Sequence, residues 1–222
     1  MGSVITTVKG YICVPEGIIQ DLDLTSAALW ACIYATPEKN PEKPGIKHIA
    51  QYTIGQWTGL ARQTINRNLP RLIESGYLTC EDERPGLTSG YKITPKISLY
   101  AISEAKKTET KFIIGNFIPV FRYLTVNCNI SLTEAAVYGA IYRNMNNPIF
   151  DRRQITAPEI QGFLHLSNNT VNRAVRKLIY YGMVEEIKKD YDWLKYYTIK
   201  ENTSNIDENV SNTDENVSDF ED

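Results

Sequence analysis

The alternation of apolar and polar positions is most regular between Leu166 and Val184. Val171, Ala174, Val175, Leu178 and Ile179 recur at spacings of three and four, which is the stripe of a helix with one buried face. Ser167 stands at the N-cap position, where a hydroxyl can accept from a first-turn N–H. Gly182 stands where a left-handed residue closes a helix. The opposite face carries Asn169, Asn172, Arg173, Arg176 and Lys177 and no carboxylate. Asparagine is a poor residue inside a helix because its amide competes for the backbone, so a face holding this set invites a reason other than solubility. A face simply turned to water is the competing reading.

The pattern occurs twice. The stretch Leu60–Leu78 matches Leu166–Val184 at an offset of 106 positions, keeping Thr-(Ile/Val)-Asn-Arg, Leu-Ile and the closing glycine in register. Leu24–Tyr34 matches Leu132–Tyr142 at an offset of 108, and the lead-ins Tyr11-Ile12-Cys13-Val14 and Phe117-Ile118-Pro119-Val120 also correspond. A repeat this long means two copies of one domain. The two-residue difference falls in a loop, where length changes are tolerated. That the Asn-Arg pair is carried in both copies weighs against a merely solvated face.

Along the chain, Tyr11–Val14 reads as a short extended segment stopped by Pro15. A first helix starts at Leu24 or Thr25 and buries Leu24, Ala28, Leu29, Cys32 and Ile33. After a Pro- and Lys-rich loop, residues 36 to 45, the stretch 48 to 58 reads as a second helix burying Ile49, Ile54 and Trp57. Thr58-Gly59-Leu60 makes a tight turn into a third helix, 62 to 74. Residues 77 to 80 and 90 to 94 read as strands around a polar loop. In the second copy the helices are 132 to 143, 156 to 164 (Pro158 near the first turn) and the Ser167-capped helix, and the strands are 184 to 187 and 193 to 199. Trp30, Trp57, Tyr138 and Phe163 fall on helix faces expected in the core. The units predicted are 8–100 and 112–200, joined by a polar linker, 101–111, and followed by a tail, 201–222.

Composition changes this picture little and charge changes it more. The chain has 222 residues and 42% hydrophobic content, enough for two domains with their own cores. No apolar run could span a bilayer and no signal-like segment opens the chain. Cys13, Cys32, Cys80 and Cys128 lack metal or redox spacing, and Cys32 falls on an apolar helix face, which points to free thiols in a reducing cytoplasm. The net charge is −2, but the tail alone holds eight carboxylates and no Lys or Arg, so the body carries +6. Of this, residues 8–100 contribute +1 and residues 112–200 contribute +4. The tail repeats Asn205–Ser211 as Asn212–Ser218 and holds too little apolar surface to fold, so it is expected to be disordered. It reads as a solubilising extension, with a phosphate mimic competing for basic faces, or a docking tail for a basic partner, as the functional alternatives.

No phosphate-binding glycine loop is present. The two histidines, His48 and His165, stand alone, so neither a metal site nor a paired-histidine nuclease can be assembled, and the tyrosines have no metal ligands beside them to make a nicking nucleophile. His165 replaces the turn glycine of the first copy and reads as structural. No cofactor and no enzymatic activity are expected.

The order helix, helix, turn, helix, hairpin resembles the winged helix, a helix-turn-helix variant with a β-hairpin wing. The class expected is mainly α with small β-hairpin wings, two winged-helix domains in tandem forming an internal pseudo-dimer. The lead-ins and helix-turn-helix segments are similar to those of conjugative-plasmid proteins of the TraN type from Gram-positive bacteria, and secondly to the N-terminal domains of theta-plasmid replication initiators. The resemblance implies a cytoplasmic, sequence-specific binder of double-stranded DNA, a repressor or DNA-transfer accessory factor. The alternatives are a replication initiator or helicase-loading protein and a winged-helix scaffold for other proteins. Asparagine and arginine are the side chains that read adenine and guanine edges in a major groove. Asn168, Asn169, Asn172 and Arg173, with Arg62, Gln63, Asn66 and Arg67 from the first copy, are therefore the candidate base readers. Thr64, Thr170, Arg71, Arg176, Lys177 and the wing lysines Lys188 and Lys189 are the candidate phosphate contacts. A single chain would supply both heads without a dimer partner, with other transfer or replication proteins as further partners. Two features of the first copy depart from this pattern. Pro70 lies inside its third helix, where it should kink the chain at a cost of roughly 3 kcal/mol, and its wing begins with Glu81-Asp82-Glu83, which repels phosphate.

Overall fold

The computed structural model describes residues 10–38, 41–82, 89–94, 117–146, 154–187 and 194–200. The first copy runs β1 (Tyr11–Pro15), α1 (Glu16–Asp21), α2 (Leu24–Ala35), β2 (Ile46–Ile49), α3 (Gln51–Thr58), α4 (Arg62–Glu74), β3 (Leu78–Asp82) and β4 (Ser89–Ile93). The second repeats this order as β5 (Phe117–Phe121), α5 (Arg122–Val126), α6 (Leu132–Met145), β6 (Ile155–Thr156), α7 (Ala157–Leu164), α8 (Asn168–Tyr180), β7 (Val184–Ile187) and β8 (Tyr196–Ile199). The chain is thus mainly helical with small antiparallel sheets, built as two similar units. The expected linker and tail, and the wing tip with Lys188 and Lys189, lie outside the described residues.

Each unit closes a three-helix cluster with a three-stranded antiparallel sheet, in the order β2-β4-β3 and β6-β8-β7. The third strand corrects the sequence reading of a two-stranded hairpin. It also shortens the second helix, which begins at Gln51 and not at His48. In Ile46–Ile49 the alternate residues Lys47 and Ile49 are buried, the period of two that belongs to a strand. Pairing with β4 (Ile46 opposite Lys92, Ile49 opposite Ser89) satisfies the backbone groups on one of its two edges. In the second copy Thr156 is the last residue of β6 and caps α7: the Glu159 carboxylate accepts from its N–H at 2.8 Å and its hydroxyl at 2.7 Å. The first wing's strand extends through Glu81 and Asp82, beyond the boundary at Cys80 that the sequence predicts, with a register shift between Cys80 and Asp82. In the second wing the return strand begins at Tyr196, three residues later than expected.

The helix stripes are as the periodicity predicts. Leu24, Ala28, Leu29, Cys32 and Ile33 are buried on α2, and Val171, Ala174, Val175 and Leu178 on α8, with Ile179 half-buried against the same core. Of the four aromatics expected inside, Trp30 and Tyr138 are buried, whereas Trp57 and Phe163 are only partly so. The hydrogen-bonded helix α4 continues through Pro70. The proline ring is exposed, so the Asn66 carbonyl it leaves without an amide partner sits on the side that water can reach.

The two lead-ins pair with each other. β1 and β5 form an antiparallel ribbon with Tyr11 opposite Phe121, Cys13 opposite Pro119 and Pro15 opposite Phe117. Helix α6 lies so close to this ribbon that a Cβ on Gly139 would stand 1.8 Å from the Pro119 carbonyl oxygen. The short helices α1 and α5, which the sequence reading left unassigned, each cross to the other unit: α1 packs on α7 and α5 on α3. The Arg122 guanidinium sits 4.5 Å from the centre of the Trp57 ring, and Arg143 sits 4.9 Å from that of Phe163 while pairing with Glu16. The Thr125 hydroxyl donates to the Trp57 carbonyl at 3.1 Å. One continuous apolar cluster consequently runs through both units, from Ile12 to Tyr197. Among the described residues no helix is long and apolar enough to cross a membrane.

Candidate nucleic-acid interface

Helix α8 begins at Ser167, whose hydroxyl accepts from the Thr170 N–H at 3.2 Å and lies 2.8 Å from the Thr170 hydroxyl. Thr170 is thereby half-buried and engaged in the cap. Asn168 and Asn169 are exposed in the first turn, and Arg173 and Arg176 are exposed further along. The half-exposed Asn172 amide donates to the Asn168 carbonyl oxygen at 2.7 Å. That bond joins the two amides across one turn at the exposed start of α8. No exposed carboxylate stands between Asn168 and Lys177.

Helix α4 presents the equivalent positions. Arg62, Gln63, Asn66 and Arg67 are exposed and Thr64 is half-buried. Its N-cap is Ala61, which offers no side-chain acceptor, and the Thr64 N–H donates instead to the Ala61 carbonyl at 2.9 Å.

Two of the cationic candidates for phosphate contact are likewise engaged within the protein. Arg71 pairs with Asp23 and donates to the Asn68 side-chain oxygen at 2.9 Å. Lys177 donates to Glu134 at 3.0 Å, with its ammonium 5.8 Å from the centre of the Tyr181 ring. Arg71 and Lys177 are repeat equivalents, and their partners sit at the same place: Asp23 is the N-cap of α2, and Glu134 belongs to the Ser131 capping box of α6. Each unit therefore ties its third helix to the start of its first. Partial burial alone would raise both carboxyl pKa values. The Ser26 N–H and Arg71 outweigh it at Asp23, and the Ser131 N–H and Lys177 do so at Glu134, leaving both below their ordinary values. The repeat places a cation at both 71 and 177, but the carboxylate comes from the N-cap in one unit and from three residues into the helix in the other, since Asp23 aligns with Ser131 and Glu134 with Ser26.

Burial pushes the Cys13 thiol up to about 12 and raises Cys32 as well, which disfavours the reactive thiolate. His165 adopts the left-handed conformation (φ +49°) as C-cap of α7, its N–H donating to the Gln161 carbonyl at 2.8 Å. Among the described residues no three His, Cys, Asp or Glu side chains come together as metal ligands.

No protein-family model matches the chain, and no curated protein matches it. A solved structure described as "Crystal Structure of a transcriptional regulator" is similar over part of the chain, with 17% identity and a TM-score of 0.29. The match covers 34% of this chain and 48% of that one, less than half its length.

Proposed function

We infer that the protein is a non-enzymatic, sequence-specific binder of double-stranded DNA, with units 8–100 and 112–200 as two covalently joined reading heads. The observation that carries this reading is the pair of equivalent helix faces on α4 and α8. Both keep an asparagine and an arginine, Asn66-Arg67 and Asn172-Arg173, directed to the surface, and both lack carboxylates at the neighbouring exposed positions. In this reading Asn168, Asn169, Asn172 and Arg173, and Arg62, Gln63, Asn66 and Arg67, meet base edges. Arg176, Thr64, Thr170, Lys188 and Lys189 set position on the backbone. Arg71 and Lys177 act first as internal struts. The net charge of +4 in residues 112–200 against +1 in residues 8–100 makes the second head the stronger source of non-specific attraction.

The finer assignment, a repressor or transfer accessory of a conjugative element, rests on the resemblance of the helix-turn-helix segments. It is decided by where the site lies: a single site over a promoter or transfer origin supports it, while iterated sites in a replication origin favour an initiator. The binding reading itself is tested with Arg173→Ala. Affinity for a selected duplex should fall by about 1–3 kcal/mol with relaxed preference at one base, while binding to random duplex changes little. Equal loss on both, or no duplex binding by the parent protein at low salt, refutes it.

A further inference from the structure

The contacts between the two units are reciprocal. Under the 106-residue repeat Tyr11 corresponds to Phe117 and Phe121 to Pro15, so the pair Tyr11–Phe121 maps onto Phe117–Pro15, which is itself a rung of the same ribbon. Every rung maps onto a rung, and Cys13–Pro119 maps onto itself. The flanking contacts obey the same rule. α1 on α7 is the image of α5 on α3, Glu16 corresponds to Arg122, and Trp57 corresponds to Phe163. In both places the first residue of the short helix meets the other unit's second helix at its aromatic, directly at Arg122–Trp57 and through Arg143 at Glu16–Phe163. Contacts in which i meets j and j meets i are the signature of a two-fold axis. A head-to-tail array would show one kind of contact without its mirror.

We propose that the target is an imperfect inverted repeat, its two half-sites related by a dyad and not arranged in tandem, with non-identical sequences. This rests on the duplex-binding reading above. A sequence repeat in one chain suggests a direct repeat in the DNA. The axis through Cys13–Pro119 instead turns α8 by half a revolution relative to α4, and a duplex offers matching local dyads perpendicular to its own axis. The ribbon, the crossing helices and the shared core hold the heads in one arrangement, which fixes the spacing between half-sites. The heads share Asn66/Asn172 and Arg67/Arg173, so the bases these meet are common to both halves. They differ at Arg62/Asn168 and Gln63/Asn169, all four exposed at the starts of the two helices, so the halves diverge at the bases read there.

The test is selection of the full-length protein on randomised duplexes, followed by affinity measurements on the enriched site. The enriched sequences should contain two inverted half-sites at one spacing. Turning one half-site around in place should weaken binding about 100-fold, to the level of a duplex with one half-site, because the gain from linking two heads is lost. The double variant Arg62→Asn, Gln63→Asn should shift selection toward a self-complementary site with both halves of the kind that α8 reads. Enrichment of direct repeats or single half-sites, or a change under about 3-fold on turning one half, overturns the inverted arrangement while duplex binding stands. If no duplex is enriched at low salt, both readings fall.

Discussion

Arg71 is the residue on which two physical arguments compete, and Arg71→Met separates them. Its guanidinium is held by Asp23 and by Asn68, with the Arg71 and Asp23 side chains 43% and 36% exposed. A charge-assisted hydrogen bond in a half-open setting is worth about 1 kcal/mol once solvent screening is counted. Removing the arginine also takes a donor from the Asn68 oxygen, which is buried at 2% exposure and keeps only the Ser26 hydroxyl at 3.4 Å. That under-satisfied acceptor adds about 1 kcal/mol. Arg71→Met should therefore destabilise by about 2 kcal/mol, lowering the melting temperature of a chain this size by roughly 4–8 °C. Asp23→Asn keeps a competent N-cap and removes only the charge. In the double-mutant cycle the pair should show a coupling of about 1 kcal/mol, shrinking with added salt. Thermal and urea unfolding give the stabilities, and the salt dependence of duplex affinity gives the number of phosphate contacts. An unchanged melting temperature, together with a salt slope reduced by about one, would show that Arg71 serves phosphate and that the strut is idle.

Gly139→Ala should be among the most damaging single-methyl changes in the chain. The new Cβ would fall 1.8 Å from the Pro119 carbonyl oxygen, a backbone atom of the ribbon, and forcing α6 off β5 should cost about 3 kcal/mol. A melting temperature within error of the parent refutes it. The carboxyls of Asp23 and Glu134 are held below their ordinary values of 3.8 and 4.5, so the unfolded chain binds more protons than the folded one as pH falls. Their contribution is fully present above about pH 5 and is lost as pH drops through the depressed values. Urea midpoints from pH 7 to 3 should fall below that point, less steeply in Asp23→Asn and Glu134→Gln. An equal slope in the variants would remove these two groups from the account.

The amino-acid sequence by itself determined the repeat, the buried stripes of α2 and α8, the cap at Ser167, the left-handed glycine at Gly182, the tight turn at Gly59, and the polar faces of the third helices. These are local properties: a helix of three turns shows its period within its own residues, and a cap needs only its neighbours. Tertiary structure alone decided what lies beyond that range. α1 and α5 span six and five residues, too few turns for a stripe to declare itself. β2 is a four-residue run adjoining a helix of similar polarity, so only its β4 partner distinguishes it from a longer helix. Nothing within Tyr11–Pro15 or Phe117–Phe121 says that each pairs with the other, since a short apolar strand accepts many edges until the helices behind it are in place. The destinations of Arg71 and Lys177 were likewise open. A long cationic side chain at that helix position can reach outward to a phosphate or back to a capping carboxylate, and the choice depends on where the first helix lies.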